Sequence, residues 1–130
     1  MSKDTPGFTF TAPAGEATIY PHRALYQDTD GTVKMFAGVT GNIVGVSQNK
    51  TTAVGQAVSV VSSGITLVEV GTAVTTVLPG QELGILATGT ATNATGTTKD
   101  ALLGIAQEAN TAAGQLIGVL LAGPSAKRYF

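Results

Sequence analysis

Gly55-Gln56-Ala57-Val58-Ser59-Val60, Gly80-Gln81-Glu82-Leu83-Gly84-Ile85 and Gly114-Gln115-Leu116-Ile117-Gly118-Val119 are three copies of one phrase, Gly-Gln-x-apolar-Ser/Gly-apolar. Each follows a turn-prone or small apolar residue: Val54, Pro79 and Ala113. Glycine tolerates φ > 0, so Gly55, Gly80 and Gly114 are expected to form structural turns that hand the chain over to a strand. The glutamines that follow either hydrogen-bond back across the turn or begin a strand in solvent. The first and third copies lie inside a longer match, in which residues 43–64 align without a gap to residues 102–123 at an offset of 59. Two near-copies of one segment imply pseudo-symmetric strand pairs.

Working outward, short β-like runs recur with turn signals between them. They fall at residues 17–20, 24–27, 32–37, 42–48, 56–62, 65–70, 73–78, 82–88, 102–107 and 115–121. Thr, Val and Ile dominate these runs, and such β-branched side chains suit a pleated sheet. Asp28-Thr29-Asp30-Gly31 ends in a strong hairpin signal. Regular short strands with Gly/Pro punctuation predict an all-β fold, a small β-barrel or β-sandwich-like domain. Helix is limited to single turns at 51–54 and 108–113, with a possible start at 100–103, and residues 88–98 read as a polar, low-complexity loop.

The 130 residues suit one domain, since ~100–200 residues is the usual range. The organisation predicted is an extended N-terminal arm (1–16), a single β domain (17–123) and a C-terminal tail (124–130). In the arm, Phe8 and Phe10 are spaced to point the same way when extended. Pro13 holds the arm out of helix. Phe8, Phe10 and Pro13, with Tyr129 and Phe130 of the tail, are the candidate contacts to a neighbouring protein chain.

Composition narrows the function. Charged residues make up 12% of the chain, against ~25% in ordinary domains. Between Thr51 and Thr98 only Glu69 and Glu82 carry charge. A span of that length meets solvent somewhere, and its skin is then Thr, Ser, Ala and Gly, poorly defended against association. With a net charge of −1 and no basic stripe, nucleic acid is not an expected partner. No run approaches the ~18 apolar residues that cross a bilayer, so no membrane partner is expected either. The N-terminus shows no secretory signal, and production inside a cell is expected.

Catalytic chemistry has little to stand on. The chain has no cysteine and one histidine, His22, beside a turn. Asp28 and Asp30 lack the further ligands of a calcium loop. Neither a Gly-x-Ser-x-Gly elbow nor a Gly-Lys-Ser/Thr phosphate loop occurs. Glu69 and Glu82 are isolated carboxylates. The expectation is no enzyme, no catalytic residue, no metal, no cofactor and no small-molecule substrate.

Residues 102–121, LLGIAQEANTAAGQLIGVLL, resemble the C-terminal signature of tailed-phage capsid cement (head decoration) proteins. Ile43-Val44-Gly45-Val46-Ser47 is similar to that family's earlier apolar-x-Gly-Val segment, and Pro79-Gly80-Gln81-Glu82-Leu83 to its middle strand start. The resemblance implies a small β-rich, β-tulip-type domain on the outer capsid surface of the virion. It implies the major capsid protein and two further copies of the chain, as a homotrimer, for partners. It also implies a role in bracing the expanded shell. Two alternatives stay open: another assembly protein, such as a tail-tube or fibre-associated β domain, and a ligand-binding β module.

Overall fold

In a computed structural model the described residues are 5–35, 43–71, 76–85, 89–92, 103–110, 112 and 114–121. They form eleven strands: β1 (Thr5–Pro6), β2 (Thr9–Pro13), β3 (Ala24–Gln27), β4 (Val33–Met35), β5 (Ile43–Ser47), β6 (Ala57–Val61), β7 (Gly64–Glu69), β8 (Glu82–Ile85), β9 (Ala91–Thr92), β10 (Gly104–Ala106) and β11 (Leu116–Leu121). A six-stranded sheet runs β1-β7-β11-β10-β8-β9 and a five-stranded sheet runs β2-β6-β5-β3-β4. Every strand pairing within the sheets is antiparallel. The fold is all-β, and no α-helix occurs among the described residues.

The two sheets are the same structure built twice. In chain order β2 to β6 fill one sheet, and β7 to β11 fill the other in the corresponding order. The registers agree residue for residue. Val46↔Val61 and Ser47↔Val60 in the first repeat become Ile105↔Leu120 and Ala106↔Val119 in the second. Pro13↔Ala57 becomes Glu69↔Leu116, Leu25↔Gly45 becomes Leu83↔Gly104, and Gln27↔Val33 becomes Ile85↔Ala91. Even the isolated bridges recur: Ala14↔Val33 with Val70↔Ala91, both parallel, and Ile19↔Thr51 with Val77↔Asn110, both antiparallel. Strand β1 alone has no counterpart.

Side chains repeat their duties as well. Gln48 and Gln107 donate their backbone N–H to the carbonyls of Ser59 and Gly118, each at 2.9 Å. The Asn49 carboxamide oxygen accepts from Ser59 N–H at 2.7 Å, and the Glu108 carboxylate accepts from Gly118 N–H at 2.8 Å. A buried strand amide left without a partner costs about 1–3 kcal/mol, which accounts for a polar side chain at this place in both repeats.

Four turns follow one plan. Gly55, Gly80 and Gly114 have φ of 90°, 88° and 77°. Each donates its N–H to a carbonyl on a neighbouring segment, Ala14 (2.8 Å), Ala106 (2.8 Å) and Val70 (3.1 Å). Each of those residues donates back to the carbonyl of the following glutamine, at 2.8, 2.9 and 2.9 Å. Gln56 and Gln81 N–H reach back to Ala53 and Leu78 O, so the first two are type II turns with glycine at the third position. The Gln56 side-chain oxygen accepts from Thr52 and Ala53 N–H, and that of Gln81 accepts from Leu78 N–H at 2.9 Å. The fourth turn is at Pro21-His22. His22 sits at φ 64° and donates to Ser47 O at 2.8 Å, and Ser47 N–H returns to Arg23 O at 2.9 Å. It is the first repeat's counterpart of Pro79-Gly80, with histidine where the second repeat has glycine.

The repeats stack. Ala24, Ile43 and Val46 share one core with Val68, Val70, Leu83, Ile85, Ile117 and Val119 of the six-stranded sheet. Ala12, Ala14, Ile19, Leu25, Val33, Val58 and Val60 form a second core on the opposite face of the five-stranded sheet. Polar ties cross the stack: Gln48 Nε2 donates to Thr66 Oγ1 (3.1 Å), Glu69 N–H to His22 O (3.0 Å), and Arg23 pairs with Glu69 at 3.2 Å.

Three local expectations are corrected. Residues 17–20 contribute only the Ile19 bridge, because Ile19 is held by Thr51 through both its backbone and its hydroxyl. Residues 51–54 form a bridge and a turn, not a helical turn, and the described part of 108–113 is likewise non-helical. Within the supposed loop 88–98, Ala91 and Thr92 form β9, with Ala91 fully buried. Residues 88 and 93–102 lie outside the described set.

Candidate interaction surface

The N-terminal candidates come first. Residues 5–6 and 9–13 form β1 and β2, so this extended segment is paired into both sheets. Its path between them is fastened: Gly7 N–H to Ser63 O (2.9 Å), Phe8 N–H to Ser63 Oγ (2.8 Å) and Ser62 N–H to Phe8 O (2.9 Å). Phe10 and Phe8 lie on the same side of β2 as Ala12 and Ala14. Phe10 packs on the second core, and Phe8, 63% exposed, stands beyond it with ring centroids 6.2 Å apart. Pro13 ends β2 at the sheet edge, where a strand tolerates a missing donor. Tyr129 and Phe130 lie outside the described residues.

The reverse side of the six-stranded sheet carries an apolar patch that the sequence did not reveal. Strand registers line up Ile65, Leu120, Ile105 and Glu82 in one row, Leu67 and Gly118 in the next, and Glu69 and Leu116 in the third. Leu116 and Leu120 are exposed, and Ile65, Leu67 and Ile105 are half-buried. The carboxylates sit at the margins, and Glu69 is paired with Arg23. No helical or alternating signal marks this patch, because both faces of β11 are apolar.

Charge is gathered elsewhere. Tyr20 has two cations over its ring, the Arg23 guanidinium 5.1 Å and the Lys50 ammonium 5.6 Å from the ring centre. In the β3–β4 hairpin, Asp28 accepts from Thr29 N–H (2.8 Å) and Lys34 Nζ (3.1 Å), and Asp30 accepts from Thr32 Oγ1 (2.6 Å) and N–H (3.0 Å). Those bonds hold both carboxyls below the usual carboxylate value. For Asp28 the Thr29 amide leads and Lys34 follows; for Asp30 the Thr32 hydroxyl leads. Lys34 is raised in turn by Asp28. The carboxylates are thus spent on turn geometry. Among the described residues no group of three or more His, Cys, Asp or Glu is placed to hold a metal ion.

The described residues thus form a tandem all-β fold with an exposed apolar patch. The chain is similar in fold to the N base of the head fibre protein gp8.5 of bacteriophage phi29. The match has a TM-score of 0.63 and 21% identity, covering 88% of this chain and 93% of that one. No protein-family model matches the sequence, and no curated protein matches it.

Proposed function

We propose that this chain is a structural protein of a bacteriophage virion that attaches to the outer surface of the capsid and braces the expanded shell. The fold likeness to a phage head fibre base, extending over most of both chains, carries the reading. The exposed apolar side chains and the scarcity of charge support it, since broad neutral contacts avoid burying unpaired ions. Its partners on this reading are the major capsid protein and further copies of itself, as a trimer. Many weak contacts repeated over a lattice give firm retention. Phe8 and Phe10 are the leading contact residues.

A second reading follows from the neighbour's own description: the chain is the base of a projecting fibre instead of a cement. One experiment separates the two. Purified protein is mixed with expanded, undecorated capsids and the particles are imaged. Saturable, symmetric, low-lying density supports the cement reading, and density continued by a projecting shaft on native particles supports the fibre base. Capsids left bare by an excess of folded protein overturn both.

A further inference from the structure

The chain shows, within itself, what covers the reverse side of one of its sheets. In the first repeat the row Ala24–Val46–Val61 is 0%, 0% and 1% exposed, and Ala24 and Val46 belong to the core built on the second repeat. The matching row in the second repeat is Glu82–Ile105–Leu120, and there Leu120 is 43% exposed with Ile105 half-buried. The same surface of the same fold is therefore buried once and bare once.

The opposite end of the stack is mostly closed, with Ala12, Leu25, Val33, Val58 and Val60 at most 5% exposed, and only its aromatic rim is open. Where the second repeat receives the first, Thr66 is fully buried and takes a hydrogen bond from Gln48. The register equates Thr66, opposite Val119, with Phe10, opposite Val60. Phe10 is only half-buried, and Phe8 beside it is 63% exposed. One end of the molecule thus offers Ile105, Leu116 and Leu120, and the other offers Phe8 and Phe10.

We infer that a second copy of this chain docks head to tail, setting its Phe8–Phe10 rim on the Ile105–Leu116–Leu120 face of the first. Such a contact joins different surfaces of identical chains, and it closes into a ring when the rotation between copies allows. Aromatic anchors meeting an aliphatic face are the usual energetic centre of an interface. Charge does not oppose it, because the face itself carries only marginal carboxylates. This contact deepens the virion reading by naming the surface through which copies join, and it is tested without any capsid.

The chain has no cysteine, so introduced thiols have no background. Phe8→Cys protein is mixed with Leu120→Cys protein under mild oxidation, with Thr29→Cys in the exposed β3–β4 turn as the control. The expected result is a mixed Phe8–Leu120 disulfide forming at least tenfold faster than any product of the control. In parallel, Leu120→Asp is expected to shift the wild-type oligomer to monomer in sedimentation velocity with its melting temperature nearly unchanged. Three results would each overturn the inference: a wild-type chain that stays monomeric up to about 100 µM, cross-links only between like positions, or an oligomer indifferent to Leu120→Asp. Capsid attachment is scored separately. Head-to-tail copies that leave capsids bare sink the virion reading alone, and a monomer that decorates capsids sinks this contact alone.

Discussion

Replacing Gly55, Gly80 and Gly114 one at a time with alanine isolates backbone conformation from packing. A Cβ built at any of the three meets nothing within 4 Å, so neighbours add no cost. What remains is the left-handed backbone, with φ between 77° and 90°. That conformation costs an L-residue roughly 1–2 kcal/mol, and stiffening the unfolded chain returns about 0.4–1 kcal/mol. Each alanine should therefore destabilise by about 1 kcal/mol, and Gly114→Val, being β-branched, by about 1–3 kcal/mol. For a chain of this length that is a drop of about 3–5 °C in melting temperature per kcal/mol. His22→Gly supplies the opposite sign. It relieves the same strain and loosens the unfolded chain, so by the same arithmetic it should stabilise by up to about 1 kcal/mol. Thermal unfolding followed by far-UV circular dichroism reads all of these. Three unchanged alanine variants would refute the conformational argument. One variant losing several kcal/mol while the others lose about one would refute the equivalence of the turns.

Gly104→Ala should be far more damaging than any turn variant. The added Cβ would collide with the Leu120 carbonyl oxygen on the neighbouring strand, which is backbone and cannot step aside. A loss of about 3 kcal/mol or more is expected, with faster amide exchange at Ala106 and Val119; wild-type exchange there would refute it. Acid should weaken the β3–β4 hairpin. Asp28 and Asp30 have lowered folded values, so their contribution is present above the ordinary carboxylate range and is lost as pH falls through those lowered values. Melting temperature should decline below about pH 4, and Asp28→Asn with Asp30→Asn should flatten that limb; an unchanged acid limb counts against the assignment.

Much of the scaffold could be read from the chain because its local signals agree with its fold. The Gly-Gln phrases mark the starts of β6, β8 and β11, and the Asp-Gly hairpin joins β3 to β4. The match at an offset of 59 disclosed one strand pair, β5–β6 with β10–β11, but not the repeat of the whole sheet. The reason lies in the remaining elements. β2 carries Phe10 where β7 carries Thr66, and Pro13 where β7 carries Glu69, so identity is lost while register survives. The fourth turn escaped because His22 stands in a glycine's place. β9 was hidden in a threonine-rich run, where side chains are too small to show a period. The apolar reverse face left no trace in the pattern, since Leu116 and Leu120 alternate with Ile117 and Val119, which are apolar too.

The short crossing at Gly7 and Phe8 has a mechanical consequence. Backbone bonds to Ser62 and Ser63 lay this segment over the seam where β6 passes to β7, and β1 continues onto β7. The seam is thereby splinted and cannot serve as a hinge. Tension applied at the amino end is shared between both halves of the molecule from the outset. Peeling would begin at the two-residue β1–β7 pairing, well before either sheet gave way.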